Sequence, residues 1–278
     1  MPFLADLHTF SSLIMLRATE FLVAIGAAVS ASELLALHEA LRNDGLLSWR
    51  VHRLTHPKIS RLLAMLGLDR CFQHPGVLGF LAVRLLAGVL VAASICLRWP
   101  SRAEFYVLSA TTLLFNLRCP EGNDGSDQMS LLILIAASLG ELVHTSLSYR
   151  VVLFFIAAQS SLSYGTSGLL KVREQGWRNG RFVTEILATS SFGNRELMHR
   201  FRRHRPLRVT AGWLVAFGDC LLAFAAILPP LVCIPLLLFG VCMHLGIARI
   251  LGLNTFLWAF VATYPAVLFV SLTLYKQF

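Results

Sequence analysis

Polar and apolar positions divide this chain into long blocks. Eight stretches are almost continuously apolar, roughly 10–32, 77–98, 103–117, 128–149, 150–170, 208–228, 230–250 and 254–274. A helix needs about 20 apolar residues to cross the hydrocarbon of a bilayer. The blocks therefore predict an all-α, polytopic integral membrane bundle of about eight transmembrane helices, the third being the shortest. Two long polar stretches interrupt the series, at 38–76 and 171–207. In the first, Ile59, Leu62, Leu63 and Leu66 recur at helical spacing among Arg53, Lys58, Arg61 and Arg70. That pattern predicts an amphipathic helix lying at the headgroups. No internal repeat or low-complexity tract breaks the order, so residues 1–278 read as one transmembrane domain.

Composition agrees with this class. The chain is 56% hydrophobic and only 14% charged, where a soluble domain carries about a quarter charged residues. The first apolar run follows Asp6 and His8 rather than a basic segment, so it reads as a retained span and not as a cleaved leader. A net charge of +9 in a soluble protein would suggest nucleic acid. Here the basic residues sit between spans, so the lipid bilayer and its anionic headgroups are the expected partner, with no nucleic acid. With the N-terminus outside, the stretches at 38–76, near 118, 171–207 and near 249 face the cytoplasm. With Arg208 at the edge of the next span, they then hold about eighteen of the 24 Lys and Arg. The six cysteines form no CxxC pair and carry no metal or disulfide signature.

Polar groups on apolar helices are expensive and need partners, which makes each a candidate site. Arg17 and Glu20 are spaced to pair on one helix face, and Asp219 is a candidate mate for Arg84. Glu141 and His144 make a single E-x-x-H pair. A di-iron bundle needs two such copies and further glutamates, so a hydrogen-bonded patch is expected and no metal. The acidic run 121–127 reads as an N-terminal cap, with Asp127 or Ser126 capping the helix that follows. His244 on the seventh block suits an interhelical hydrogen bond, and Tyr264-Pro265 a kink whose freed carbonyl finds another donor. Lys171, with Trp177 soon after, has two open readings. Lysine and tryptophan at a helix end commonly anchor at the interface. A desolvated lysine can instead act as a base.

The spacing Gln-x4-Tyr-x3-Gly-x2-Lys, then Trp-x2-Gly, is carried by Gln159, Tyr164, Gly168, Lys171, Trp177 and Gly180. It resembles the signature stretch of the horizontally transferred transmembrane (HTTM) family, which includes the membrane portion of vitamin K-dependent γ-carboxylase. The run from His244 to Phe256, followed by Ala262-Thr263-Tyr264-Pro265, is similar to the last spans of bacterial members. The resemblance implies a bacterial cytoplasmic (inner) membrane protein in which Lys171 deprotonates a reduced quinone, with His244 as a second catalytic group. Gln159, Tyr164, Trp177, Asn254 and Tyr264 would then line the cofactor pocket. The family's histidine before the fourth span is replaced here by Gly125. The alternative the resemblance implies is a component of peptide or toxin maturation or export. It would act on a peptide substrate or with a partner protein docked on the basic 171–207 stretch. Seven residues are expected to form one polar seam: Glu141, His144, Gln159, Tyr164, Lys171, His244 and Asn254.

Overall fold

The computed structural model describes residues 2–99, 102–120, 123–190 and 193–275, with side chains from Ser12 onward. The described residues form helices and connecting turns, with no strand. Six helices are long and apolar enough to cross a membrane: Ser12–Ala36, Gly76–Leu97, Gly125–Val143, Arg205–Ala223, Pro230–Leu251 and Asn254–Tyr275. This is the architecture of an integral membrane protein. The other two expected spans are helical but do not meet both conditions. Helix α6 (Arg102–Arg118) has only 17 residues. Helix α8 (Ser146–Arg173) has 28, but Gln159, Ser160, Ser161, Ser163, Thr166 and Ser167 dilute the apolar character of its second half.

The chain folds as two compact units, one of Met1–Thr19 with Thr145–Phe278 (unit 1) and one of Glu20–His144 (unit 2). The long first helix α1 (Pro2–Ala36) contributes residues to both.

In unit 2, α5 (Gly76–Leu97) lies close against α1. A Cβ on Gly88 would meet Ala24 O at 2.9 Å and the Ala28 methyl at 3.1 Å, so only a glycine lets the backbones approach this far. The polar stretch 38–76 is not a loop. It carries α2 (Trp49–Thr55), α3 (Pro57–Met65) and α4 (Asp69–Phe72). The expected apolar stripe on α3 is split: Leu63 is buried with Trp49 and Phe72, and Ile59 packs beside them, whereas Leu62 and Leu66 face outward. The Trp49 indole N–H donates to Asp69 Oδ1 at 2.8 Å, which ties the small helices together.

Helix α7 (Gly125–Val143) begins with a reciprocal cap that differs from the expected one. Asp124, not Asp127 or Ser126, accepts the N–H groups of Ser126 (2.7 Å) and Asp127 (3.2 Å). Asp127 sits at the third helical position and its carboxylate accepts the Asp124 N–H. Both carboxylates are needed because the first turn has several unpaired donors. Glu121 and Gly122 of the same run lie outside the described residues.

Unit 1 is built around α8. It packs along α12 (Arg205–Ala223) and α15 (Tyr264–Tyr275). A Cβ at Gly168 would lie 2.7 Å from both the Cys220 nitrogen and its sulfur, so α8 and α12 touch backbone to backbone there. The polar stretch 171–207 is likewise helical, with Lys171 inside α8, followed by α9 (Gln175–Arg178), α10 (Arg181–Ala188) and α11 (Arg195–Arg203). Helix α13 (Pro230–Leu251) carries His244. The last apolar block breaks at Ala262-Thr263 into α14 (Asn254–Val261) and α15, with Pro265 in the first turn of α15. The Thr263 hydroxyl donates at 2.7 Å to Phe260 O, which also accepts the Thr263 N–H at the break.

Candidate functional site

Two hydrogen-bonded clusters lie inside unit 1. The first is built on α8 and α12. Ser167 and Lys171 are four residues apart on α8 and so share one helix face. That face meets α12 at Asp219. Lys171 Nζ donates to Asp219 Oδ2 at 2.7 Å and also to the Ser167 hydroxyl, which itself donates to Asp219 Oδ2 at 2.9 Å. The Lys171 side chain is 19% exposed and that of Asp219 only 6%. Trp177, on α9, lies under the ammonium with its ring centre 5.4 Å away. An aromatic face attracts a cation electrostatically, so Trp177 closes the fourth side of the charge. Short, charge-assisted bonds to a buried carboxylate make this a closed, part-buried triangle with a lid rather than a lysine reaching for headgroups.

The second cluster lies about two turns back on α8. The Tyr164 hydroxyl is 2.7 Å from His244 Nε2 on α13 and 2.9 Å from the Tyr264 hydroxyl on α15. All three side chains are buried. Phe260 stacks flat on the His244 ring, with centroids 5.0 Å apart and an interplanar angle of 7°, and Phe256 stacks on Phe260 in turn. His244 Nδ1 is buried and has no hydrogen-bond partner among the described residues. Beside this cluster, Ser160 and Thr263 join α8 to the kink through a 2.9 Å hydroxyl pair. The two clusters are within electrostatic reach of each other: the charge of Lys171 acts on His244, and that of Asp219 on both tyrosines.

The structure thus brings Tyr164, His244 and Tyr264 into direct contact, and places Lys171 with Trp177 in the adjoining cluster. Gln159 is half-buried on a different flank of α8, one residue before Ser160. Asn254 opens α14, where its backbone N–H donates to Gly252 O. Glu141 and His144 belong to unit 2 and form a polar patch there. His144 stands past the end of α7 in a left-handed conformation, with its side chain half exposed, while Glu141 is buried. Arg102 joins them, 3.4 Å from Glu141 and donating to the His144 ring. No group of three or more His, Cys, Asp or Glu able to hold a metal occurs among the described residues.

Asp219 is the residue of these clusters whose partner spacing alone misassigned. It pairs with Lys171, and Arg84 lies in the other unit. Its one sequence signal was being the sole carboxylate in its span. An apolar groove of about 890 Å³ runs along the other side of α8, from Phe154 through Ser161 and Gly165 to Arg173, walled by Phe224, Ile227 and Val270. Lys171 does not line it.

When the chain is compared with family models, curated proteins and solved structures, no match is found in any of the three.

Proposed function

We propose that this chain is a membrane enzyme of the carboxylase-like, HTTM kind, which moves a proton on a lipid-soluble substrate of the quinol class. The observation that supports this reading is the part-buried Lys171–Asp219–Ser167 triangle, lidded by Trp177 and set beside the Tyr164–His244–Tyr264 cluster. The chain's own groups suit such a molecule in kind. His244 Nδ1 is a buried polar atom that a hydroxyl or carbonyl oxygen would satisfy, and Phe260 and Phe256 offer an aromatic wall beside it. A quinol would supply a weakly acidic hydroxyl and an electron-rich ring.

The residues then divide the work. Lys171 holds a proton at Nζ, aimed at Asp219 Oδ2. Passing that proton along the 2.7 Å bond converts an ammonium and a carboxylate into an amine and a carboxylic acid, with no change in total charge. The amine so formed is the group that takes a proton from a bound hydroxyl. Ser167 keeps both partners in place, and Trp177 excludes water from the open side.

The test uses the full chain in lipid nanodiscs with reduced menaquinone or reduced vitamin K in air-saturated buffer, where dioxygen accepts the two electrons, following quinol retention and oxidation by mass spectrometry. Lys171→Ala and Lys171→Arg should each lose turnover by about 10²-fold or more, since arginine keeps the charge but cannot give up its proton. Full activity in Lys171→Arg, or no retention of quinol by the wild type, rejects the proposal.

The exposed helix α11 supports a second reading, a maturation or export component. It carries Arg195, Arg200, Arg202 and Arg203 and buries no residue, which suits docking of an acidic peptide or partner. Copurification of such a peptide, lost when these arginines are replaced, would favour it.

A further inference from the structure

We propose that Arg84, in unit 2, is the centre of an anion-binding site that takes a singly charged, carboxylate-type ligand. This inference is independent of the reading of unit 1. Arg84 lies eight residues into α5, about 12 Å from the start of a helix long enough to span a membrane. It is 5% exposed, so it does not snorkel to an interface. Its Nε has no hydrogen-bond partner. The guanidinium carbon lies 5.5 Å over the Phe115 ring, a contact that compensates only part of a buried charge.

The carboxylate whose charge acts on Arg84 is Asp127. No carboxylate among the described residues comes within ion-pairing distance of the guanidinium, and Asp127 is committed to the cap of α7 through the Asp124 N–H. Two other cations held within the helices, among the described residues, are closed off. Arg118 spends its donors on Phe72 O (3.1 Å), Leu47 O (3.1 Å) and Cys119 Sγ (2.9 Å). Lys171 has its own carboxylate. Arg84 alone among these three keeps an unfilled face, and an ionised group left unpaired in a low-dielectric setting is strongly unfavourable. An incoming anion removes that cost.

Three features define the ligand. The planar fork of a guanidinium matches two oxygens held in one plane, as in a carboxylate or bicarbonate. Thr112 adds a hydroxyl: it is 2% exposed, its Oγ1 has no partner, and it sits three residues before Phe115 on α6, on the face over which Arg84 lies. Asp127 sets the charge. A second negative group nearby repels a dianion far more than a monoanion, which disfavours inorganic phosphate.

The experiment measures thermal unfolding of the full chain in nanodiscs of neutral lipid, at fixed ionic strength, with chloride exchanged for acetate, bicarbonate or phosphate. The wild type should show a saturable rise in Tm of about 5 °C or more in acetate or bicarbonate and little response to phosphate. Arg84→Met should abolish the anion dependence. Thr112→Val, which removes one hydroxyl, should shift it to higher anion concentration and serves if Arg84→Met does not fold. Asp127→Asn should let phosphate act. A wild-type Tm that ignores anion identity, or an Arg84→Met protein with the same dependence, overturns the site. So does a response to phosphatidylglycerol without one to acetate, since a headgroup would then be the occupant.

Discussion

Lys171 in unit 1 and Arg84 in unit 2 are both cations on buried faces of helices, and the chain treats them in opposite ways. Lys171 is held by a carboxylate, a hydroxyl and an aromatic ring from three helices. Arg84 has one aromatic ring and a carboxylate that stays at a distance. Arg118 shows a third solution, two backbone carbonyls and a sulfur, in the same unit as Arg84. Burial alone therefore does not mark a site. A buried cation whose valences are all used is either structure or a device that exchanges protons internally. One with valences unused is addressed to something that arrives from outside.

Five substitutions test this contrast, all read as unfolding of the full chain in one fixed detergent. The largest loss is expected for Asp219→Leu, which strands Lys171 in a site from which it is 19% exposed. Stranding one partner of a buried pair costs about 3 kcal/mol at the lower end, a fall in Tm of roughly 10 °C. Adding Lys171→Met to Asp219→Leu should restore most of it, because removing both charges is close to neutral. Next is Arg118→Met, which leaves the Phe72 and Leu47 carbonyls without their donor and should cost about 2 kcal/mol. Tyr164→Phe withdraws one hydroxyl from both His244 and Tyr264 and should cost about 1–2 kcal/mol. Arg84→Met, in chloride alone, should change stability by less than about 1 kcal/mol or raise it, since an apolar side chain replaces a charge without a pair. If Arg84→Met proves as damaging as Asp219→Leu, the contrast fails and Arg84 is a structural residue like Arg118.

Helix type and the broad outline were legible from apolar blocks, because helix length and bilayer thickness share one physical scale. Six of the eight blocks meet the condition for crossing; α6 is too short, and the hydroxyl-rich half of α8 is too polar. Two of those hydroxyls, Ser160 and Ser167, join α8 to its neighbours. His244 was legible as a group suited to an interhelical hydrogen bond, and Tyr164 and Tyr264 as positions the resemblance singled out; the three meet in one cluster. Who pairs with whom was not legible. Asp219 and Arg84 stand as complementary charges on two spans, yet helix adjacency decides pairing, and spacing within a helix says nothing about its neighbours. The cap of α7 escaped for a local reason: three candidate side chains lie within four residues, and only the backbone angles choose Asp124.

One detail of the Tyr164 hydroxyl reaches further than its two bonds. It owns a single hydrogen yet stands between His244 Nε2 and the oxygen of Tyr264. If that hydrogen points to the imidazole, Tyr264 must be donating and Nδ1 bears the ring's own hydrogen. If it points to Tyr264, the imidazole donates and Nδ1 is a bare lone pair. The three groups therefore switch together, and a rearrangement at Tyr264 on α15 is transmitted to the far edge of the His244 ring. Whatever approaches that edge meets a donor in one setting and an acceptor in the other.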